Sequence, residues 1–397
     1  MGVFERLGAR AIINVAGPST RLGGALMPPE VVQAMSEAAL DSVSMTELQA
    51  AASRTISDVT GAEAGYVTAG ASSALTLGMA AIIAGFDLGK MERLPDTSGM
   101  KNEVIISKEQ RTGYDHAIRL AGARLVEVGM NEAAAGAGVR HTEIWEYDAA
   151  VTPQTVAIFY VADPGARPSL SDVVKVARKR GLPVLVDAAG ELPPISNLRA
   201  FTALGADLVA FSGGKALRGP QSTGILCGRK DLIASAALQH LDMDEHFELW
   251  EPPQDFIPKS KLAGLPRHGI GRGFKVAKEE IAGVLTALLL FADGKIGANL
   301  EEQRGFLEYL ADGLSGLPVE PRIFTDDTSG QPVMHLVLLS DVLGKTGFDV
   351  CRELRTASPG VFPGEALLSQ DTLVISAFNL DQRRAEMLTV QLREVLS

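Results

Sequence analysis

Two side chains in the middle of this 397-residue sequence have the types and setting for one kind of chemistry. Asp187 ends the apolar run Pro183-Val184-Leu185-Val186. Lys215 closes Ser212-Gly213-Gly214-Lys215, directly after the next apolar run, Leu208-Val209-Ala210-Phe211. A carboxylate at one strand end and a lysine in a glycine turn after a following strand is the pair that pyridoxal phosphate (PLP) chemistry requires. The lysine would hold the cofactor as a Schiff base and, once substrate displaces it, act as the base on Cα. The carboxylate would keep the pyridine nitrogen protonated, so that the ring draws electrons from Cα. The flanking glycines permit tight backbone geometry and leave room for a ring.

The cofactor's phosphate needs a third element. Thr68-Ala69-Gly70-Ala71-Ser72-Ser73 follows one apolar run and opens a helical stretch. Gly70 and Ala71 let the backbone approach an anion, a helix N-terminus offers unpaired N–H groups, and Ser72 and Ser73 add hydroxyls. A serine N-cap alone gives the same pattern. Its position upstream of Asp187 and Lys215 gives it weight.

These residues need a sheet to align them. Candidate strands are Gly65–Thr68, Glu103–Ile106, Arg124–Val128, Thr155–Val161, Pro183–Val186, Asp207–Phe211 and Gly224–Cys227. Helical patterns lie between them at Ser72–Ile83, Thr112–Ala121 and Ser171–Lys179, and the alternation reads as an α/β protein. Asp242 to Gly273 is rich in charge, Pro and Gly and reads as a long irregular connection. Helices are expected at Phe274–Leu290 and Leu300–Leu314, then a strand Val333–Leu339, a helix Phe348–Thr356, a strand Thr372–Ser376 and a last helix Asp381–Leu396. The expected organisation is an N-terminal segment 1–45 that contributes to the active site, a large PLP-binding domain 46–260, and a smaller α+β domain 261–397.

Composition narrows the function classes. A formal net charge of −11 argues against a nucleic-acid partner, which requires a basic surface. Cys227 and Cys351 form no CxxC pair, and the histidines lack ligand spacing, so neither a disulfide framework nor a metal site is expected. The first ten residues lack an apolar signal core, and Ile281 to Ala292 is too short to span a bilayer, so the expectation is a reduced, cytoplasmic protein.

The runs Asp187-Ala188-Ala189-Gly190 and Phe211 to Gln221 resemble the fold-type I PLP enzymes, and within them the selenocysteine synthase-like group, which includes ammonia-lyases of amino-sugar acids. Ile13-Asn14-Val15-Ala16-Gly17 with Thr20-Arg21-Leu22-Gly23-Gly24, and Gly271-Arg272-Gly273-Phe274-Lys275-Val276 with Lys278-Glu279-Glu280, also match that group. The resemblance implies a large α/β/α domain around a mostly parallel seven-stranded sheet, and an active site between two subunits of a homodimer. It places Gly219-Pro220-Gln221-Ser222-Thr223 against a partner's cofactor phosphate, through Gln221 and Ser222, with Ser212 beside the cofactor. It places a side chain from Gln110 to His116 on the ring face, where Tyr114 or His116 could stack, and Asp163 near the ring hydroxyl or the substrate. Selenocysteine synthase carries a tRNA-binding region before its Asn-Ala-Thr-Gly motif. Here the corresponding Asn14 is almost at the start, so a tRNA substrate is not expected.

Many fold-type I aminotransferases grip the substrate carboxylate with an arginine in a late strand, but Val374 to Asn379 has none. Other groups must hold an anionic substrate: Asn14, Thr20, Arg21, Arg218, Arg272 and Lys275, with Arg267 and His268 as further candidates. Guanidinium groups suit carboxylate and phosphate. Arg272 and Lys275 are expected to share one face at a helix start. The implied reaction is loss of water and ammonia from a 2-amino-3-hydroxy acid, giving a 2-keto-3-deoxy acid. Racemisation, aldol cleavage or transamination would use the same lysine and aspartate. A selenocysteine synthase-like transferase or a non-catalytic protein of this fold ranks behind them.

Overall fold

The computed structural model describes residues 2–130, 140–296, 299–326 and 329–397. Two compact units form: Met27–Gly294, and Met1–Leu26 with Lys295–Ser397. Among the described residues the strands are β1 Ile12–Val15, β2 Ala64–Thr68, β3 Glu103–Ser107, β4 Arg124–Val128, β5 Thr155–Val161, β6 Val184–Asp187, β7 Leu208–Ser212, β8 Gly224–Gly228, β9 Val319–Thr325, β10 Pro332–Leu338, β11 Gly360–Pro363 and β12 Thr372–Ser376.

The larger unit is built on a seven-stranded sheet in the order β2-β8-β7-β6-β5-β3-β4. Strands β7, β6, β5, β3 and β4 are mutually parallel, and β8 runs antiparallel to both of its neighbours. A parallel sheet is covered on both faces, so its strands are continuous apolar runs. Every residue of β2, β3 and β8 is buried. The helix Ala71–Ala84 lies almost wholly inside, with Leu75, Leu77 and Met79 at most 1% exposed. Each such side chain contributes about 1.5–3 kcal/mol of burial. All the expected strands of this sheet occur, with ends shifted by a residue or so.

Register decides which strand ends meet. Gly224, the first residue of β8, pairs with Thr68 at the end of β2 and with Ser212 at the end of β7. Asp187, the last residue of β6, pairs with Val161 of β5 and Ala210 of β7. The ends of β2, β5, β6 and β7 therefore line one edge, which is where open α/β sheets bind ligands.

Several expectations change. The stretch Thr112–Ala121 is a 3₁₀ turn, Gly113–Asp115, followed by a short helix, His116–Leu120. The Thr112 hydroxyl caps the turn by accepting from the Tyr114 N–H at 3.1 Å, and buried Asp115 pairs with Arg111 at 2.5 Å and Arg119 at 3.1 Å. The helix expected from Phe274 begins at Lys278, because Ile270–Phe274 is a 3₁₀ turn and Lys275 is extended. Arg272 and Lys275 therefore do not share a helical face. The irregular stretch after Asp242 buries Trp250, Phe256, Ile257 and Leu262 in the core of the larger unit. That unit accordingly continues past the expected boundary at residue 260 to Gly294, and it begins at Met27 rather than 46.

In the smaller unit β1 pairs in parallel with β11, and β12-β10-β9 form an antiparallel sheet. Helices Leu300–Gly313, Gly347–Thr356 and Gln382–Leu396 accompany them. No helix among the described residues is long and apolar enough to cross a membrane.

Candidate active site

The Asp187 carboxylate is 9% exposed and accepts the Ala189 N–H at 3.0 Å. Burial pushes its pKa up, while the Ala189 N–H and the Lys215 charge pull it back down. Glu191, in the loop just beyond, is also pushed up by burial and by the charges of Asp163 and Asp187, with Lys215 opposing. Asp163, Asp187, Glu191 and Lys215 thus act on one another at the sheet edge. Lys215 is half-buried, and among the described residues its ammonium makes no hydrogen bond or ion pair.

The lysine is held by a compact β7–β8 connection. The Gly213 N–H donates to Thr223 at 2.8 Å, the Gly219 N–H to Gly213 at 2.8 Å, and the Arg218 N–H to Lys215 at 2.9 Å. The Thr223 hydroxyl donates to the Pro220 carbonyl at 2.6 Å, and Arg218 adopts a left-handed φ of 54°. A Cβ on Gly214 would lie 2.4 Å from Gln221 Cα and 2.5 Å from its carbonyl oxygen. A Cβ on Gly224 would lie 2.3 Å from the Gly70 carbonyl carbon and 2.5 Å from the Ala71 nitrogen. The lysine turn and the Gly70 loop are therefore in backbone contact.

Gly70, with φ of 88°, caps the helix Ala71–Ala84. The N–H groups of Ala71, Ser72 and Ser73 precede the first intrahelical bond, Ala74 to Gly70 at 3.1 Å, and remain available to an anion. The Ser73 hydroxyl donates to the Ala69 carbonyl at 2.8 Å, whereas Ser72 is exposed. The Ser222 hydroxyl is taken by Glu280, and Gln221 is half-buried beside Gly214. The Thr76 hydroxyl donates to Ala117 at 2.8 Å, tying the helix that starts at His116 to the Gly70 helix. His116 is exposed, and Tyr114 is 71% exposed. The Asp163 carboxylate accepts the Gly165 N–H at 2.7 Å and locks its own turn.

Other candidates are engaged elsewhere. Arg267 pairs with Glu92 at 3.0 Å, Arg272 with Asp242 at 2.5 Å and His268 with Asp244 at 3.3 Å, while Lys275 is exposed. Asn14, Thr20 and Arg21 belong to the smaller unit. There the Asn14 amide is consumed by its turn, donating to Gly17 at 2.9 Å and accepting from Ala16 at 3.0 Å. Arg21 and Arg355 share one carboxylate, Glu365, which leaves a positive charge in excess. The sequence reading missed Glu191; its signal was a second carboxylate in the loop that Asp187 opens.

Residues 12–243, more than half of the sequence, match the model of the L-seryl-tRNA selenium transferase family. The chain belongs to that family. D-glucosaminate-6-phosphate ammonia lyase of Salmonella typhimurium is 28% identical over 99% of this chain and 97% of its own length. The 5'-C-glycyluridine monooxygenase-decarboxylase of a Streptomyces species is 30% identical over 99% of this chain and 92% of its own. The solved structure of D-glucosaminate-6-phosphate ammonia-lyase matches with a TM-score of 0.83 at 27% identity, covering 100% of this chain and 98% of that one.

The fold is that of the fold-type I PLP enzymes, and the cofactor is pyridoxal 5'-phosphate. The residues present fit it. Free N–H groups at Ala71–Ser73 suit the phosphate, buried Asp187 suits a protonated ring nitrogen, and Lys215 is unpaired at the same edge. Glycines keep the cradle clear of Cβ atoms at Gly214 and Gly224.

Two outcomes follow from this geometry. Gly214→Ala forces apart backbone atoms that cannot yield, so a PLP titration followed by visible absorbance should show at least about tenfold weaker binding, the equivalent of about 1.4 kcal/mol. Asp187 has a raised folded pKa, so its contribution to stability is full below the unfolded value of 3.8 and is lost as pH rises through the folded value. The cofactor-free Asp187→Asn protein should therefore melt above wild type at pH 7, with the gap closing toward about pH 4. An unchanged or lower Tm at pH 7 would contradict the assigned burial cost.

Proposed function

We propose that this protein is a PLP-dependent ammonia-lyase that removes water and ammonia from a 2-amino-3-hydroxy acid, an amino-sugar acid or its phosphate, leaving a 2-keto-3-deoxy acid. The observation that carries this reading is the end-to-end likeness to the Salmonella ammonia lyase, in sequence and in fold, on a sheet edge that holds Lys215 and Asp187. The bound cofactor supplies an electron sink that makes the Cα–H bond acidic. Lys215 takes that proton; it is half-buried at the same sheet edge, and among the described residues its amine makes no hydrogen bond or ion pair. Asp187 stays fixed by the Ala189 N–H, so its free oxygen points to one partner.

Departure of the 3-hydroxyl needs a proton on the leaving oxygen. We assign that proton to Glu191, whose acid form is favoured by burial and by Asp163 and Asp187. Water leaves first. The resulting enamine then takes up water and releases ammonia as the keto acid forms. Gly219 to Thr223 is assigned to the contact between two subunits of a homodimer, with the Ser222–Glu280 bond bracing it.

Purified enzyme given D-glucosaminate 6-phosphate is expected to release equal amounts of ammonia and keto acid. Lys215→Ala should lower kcat by about 10²- to 10⁴-fold and remove the cofactor's visible band. Absence of both products sinks the substrate class. The Streptomyces relative supports a second reading, oxygen-dependent decarboxylation on the same lysine and aspartate; oxygen uptake with carbon dioxide release, in place of ammonia, would establish it. A general acid must be protonated to act, so kcat should fall as pH rises through the Glu191 pKa. Glu191→Gln should lower kcat by about 10²-fold and flatten that alkaline limb; retention of the limb would reassign the acid.

A further inference from the structure

A cavity of about 290 Å³ opens at the ends of β3 and β5, lined by Glu109, Gln110, Thr112, Asp163 and Arg167 among others. It adjoins the catalytic edge, because Val161 of β5 pairs with Asp187 of β6 and the Asp163 charge reaches Glu191. Gln110 is 7% exposed. Its Oε1 accepts the Val161 N–H at 3.3 Å, which fixes the amide orientation and leaves Nε2 as the free donor. That Nε2 is buried and, among the described residues, makes no hydrogen bond of normal geometry. The neighbouring Tyr160 hydroxyl donates to the Pro168 carbonyl at 3.2 Å; burial pushes its pKa up, and the nearby Gln110 side chain pulls it back down. A buried amide donor left unmatched costs about 1–3 kcal/mol, so its retention points to an acceptor that arrives with a ligand.

The rest of the lining says what that ligand carries. Thr112 accepts the Tyr114 N–H through its oxygen, so its own proton is free to donate. Asp163 uses one oxygen on Gly165, and the other remains an acceptor. Glu109 is already satisfied by the Thr142 N–H at 2.7 Å and His141 Nδ1 at 2.8 Å. Among the described residues the Arg167 guanidinium makes no hydrogen bond or ion pair, and it lines both this cavity and a second one, of about 570 Å³, beyond it. Interleaved donors and acceptors suit a chain of hydroxyl groups, and an unpaired guanidinium suits an anion at the end of such a chain.

We propose that this cavity is the subsite for the hydroxylated, anionic tail of the substrate, with Gln110 and Thr112 donating to its hydroxyls and Arg167 holding its terminal anion. The proposal rests on the lyase reading and adds the residues that select a long substrate over a short one. Arg167 and Gln110 act as specificity residues for the tail.

The test compares D-glucosaminate 6-phosphate with D- and L-serine, which share the reacting end and lack the tail. Arg167→Gln should raise KM for the long substrate about 10- to 100-fold, and Gln110→Glu about tenfold, with kcat nearly unchanged. Turnover of serine should be unaffected by either change, and Arg167→Lys should restore part of the loss. Equal losses on long and short substrates, or no loss on either, overturn the proposal. Calorimetric binding of 6-phosphogluconate, which has the tail but no amine, separates the two readings. If no ammonia is released from any acid, the lyase reading falls; the tail subsite then stands if Arg167→Gln still weakens this binding at least tenfold, and falls if the affinities are equal.

Discussion

The site depends on one close approach of backbone to backbone. Gly224 starts β8 against Thr68 on one side and Ser212 on the other, and no Cβ fits between it and the Gly70–Ala71 peptide. This contact brings together two loops that are distant in sequence: the helix start that can hold a phosphate, and the turn that carries the lysine. It works because β8 is the one reversed strand in the large sheet. An antiparallel strand between β2 and β7 puts its first residue, rather than its last, at the edge where parallel strands end.

Charge is arranged at the same edge with a deliberate imbalance. Three carboxylates, Asp163, Asp187 and Glu191, act on one another around a single unpaired lysine. Burial penalises the ionised forms of Asp187 and Glu191, so this part of the protein is less stable than an apolar edge would be. A cationic ring nitrogen beside Asp187 would relieve that cost, and cofactor binding would then be coupled to the stability of the edge.

Much of this was legible in the sequence, and the reasons are specific. Strands β6, β7 and β2 of the large sheet are buried on both faces, so they read as short apolar runs ending in Asp187, Ser212 or Thr68. The glycines around Lys215 and before Ser72 announced turns that bring backbone close. What escaped was information carried by other elements. Nothing local to Gly224 reveals that β8 is reversed. Arg272 and Lys275 looked like neighbours on a helix, but the helix starts at Lys278, where Glu280 closes back on Ala277. Strand β9 is mostly exposed and so lacks the apolar alternation that marks a strand, while β1 alternates over only four residues, too few to stand out. The unmatched Gln110 amide is invisible in sequence because it is defined by the absence of a partner.

The smaller unit has a consequence for how the chain comes off the ribosome. Its strand β1 pairs with β11, so Ile12 finds its neighbour only in Gly360, while everything from Met27 to Gly294 is synthesised in between. The larger unit can complete its sheet during translation, since its last strand ends at Gly228. The early segment around Asn14 reaches its β11 partner only once Gly360 has been added. The two ends of the smaller unit can therefore pair only after the residues that form the sheet edge bearing Asp187 and Lys215 have been synthesised.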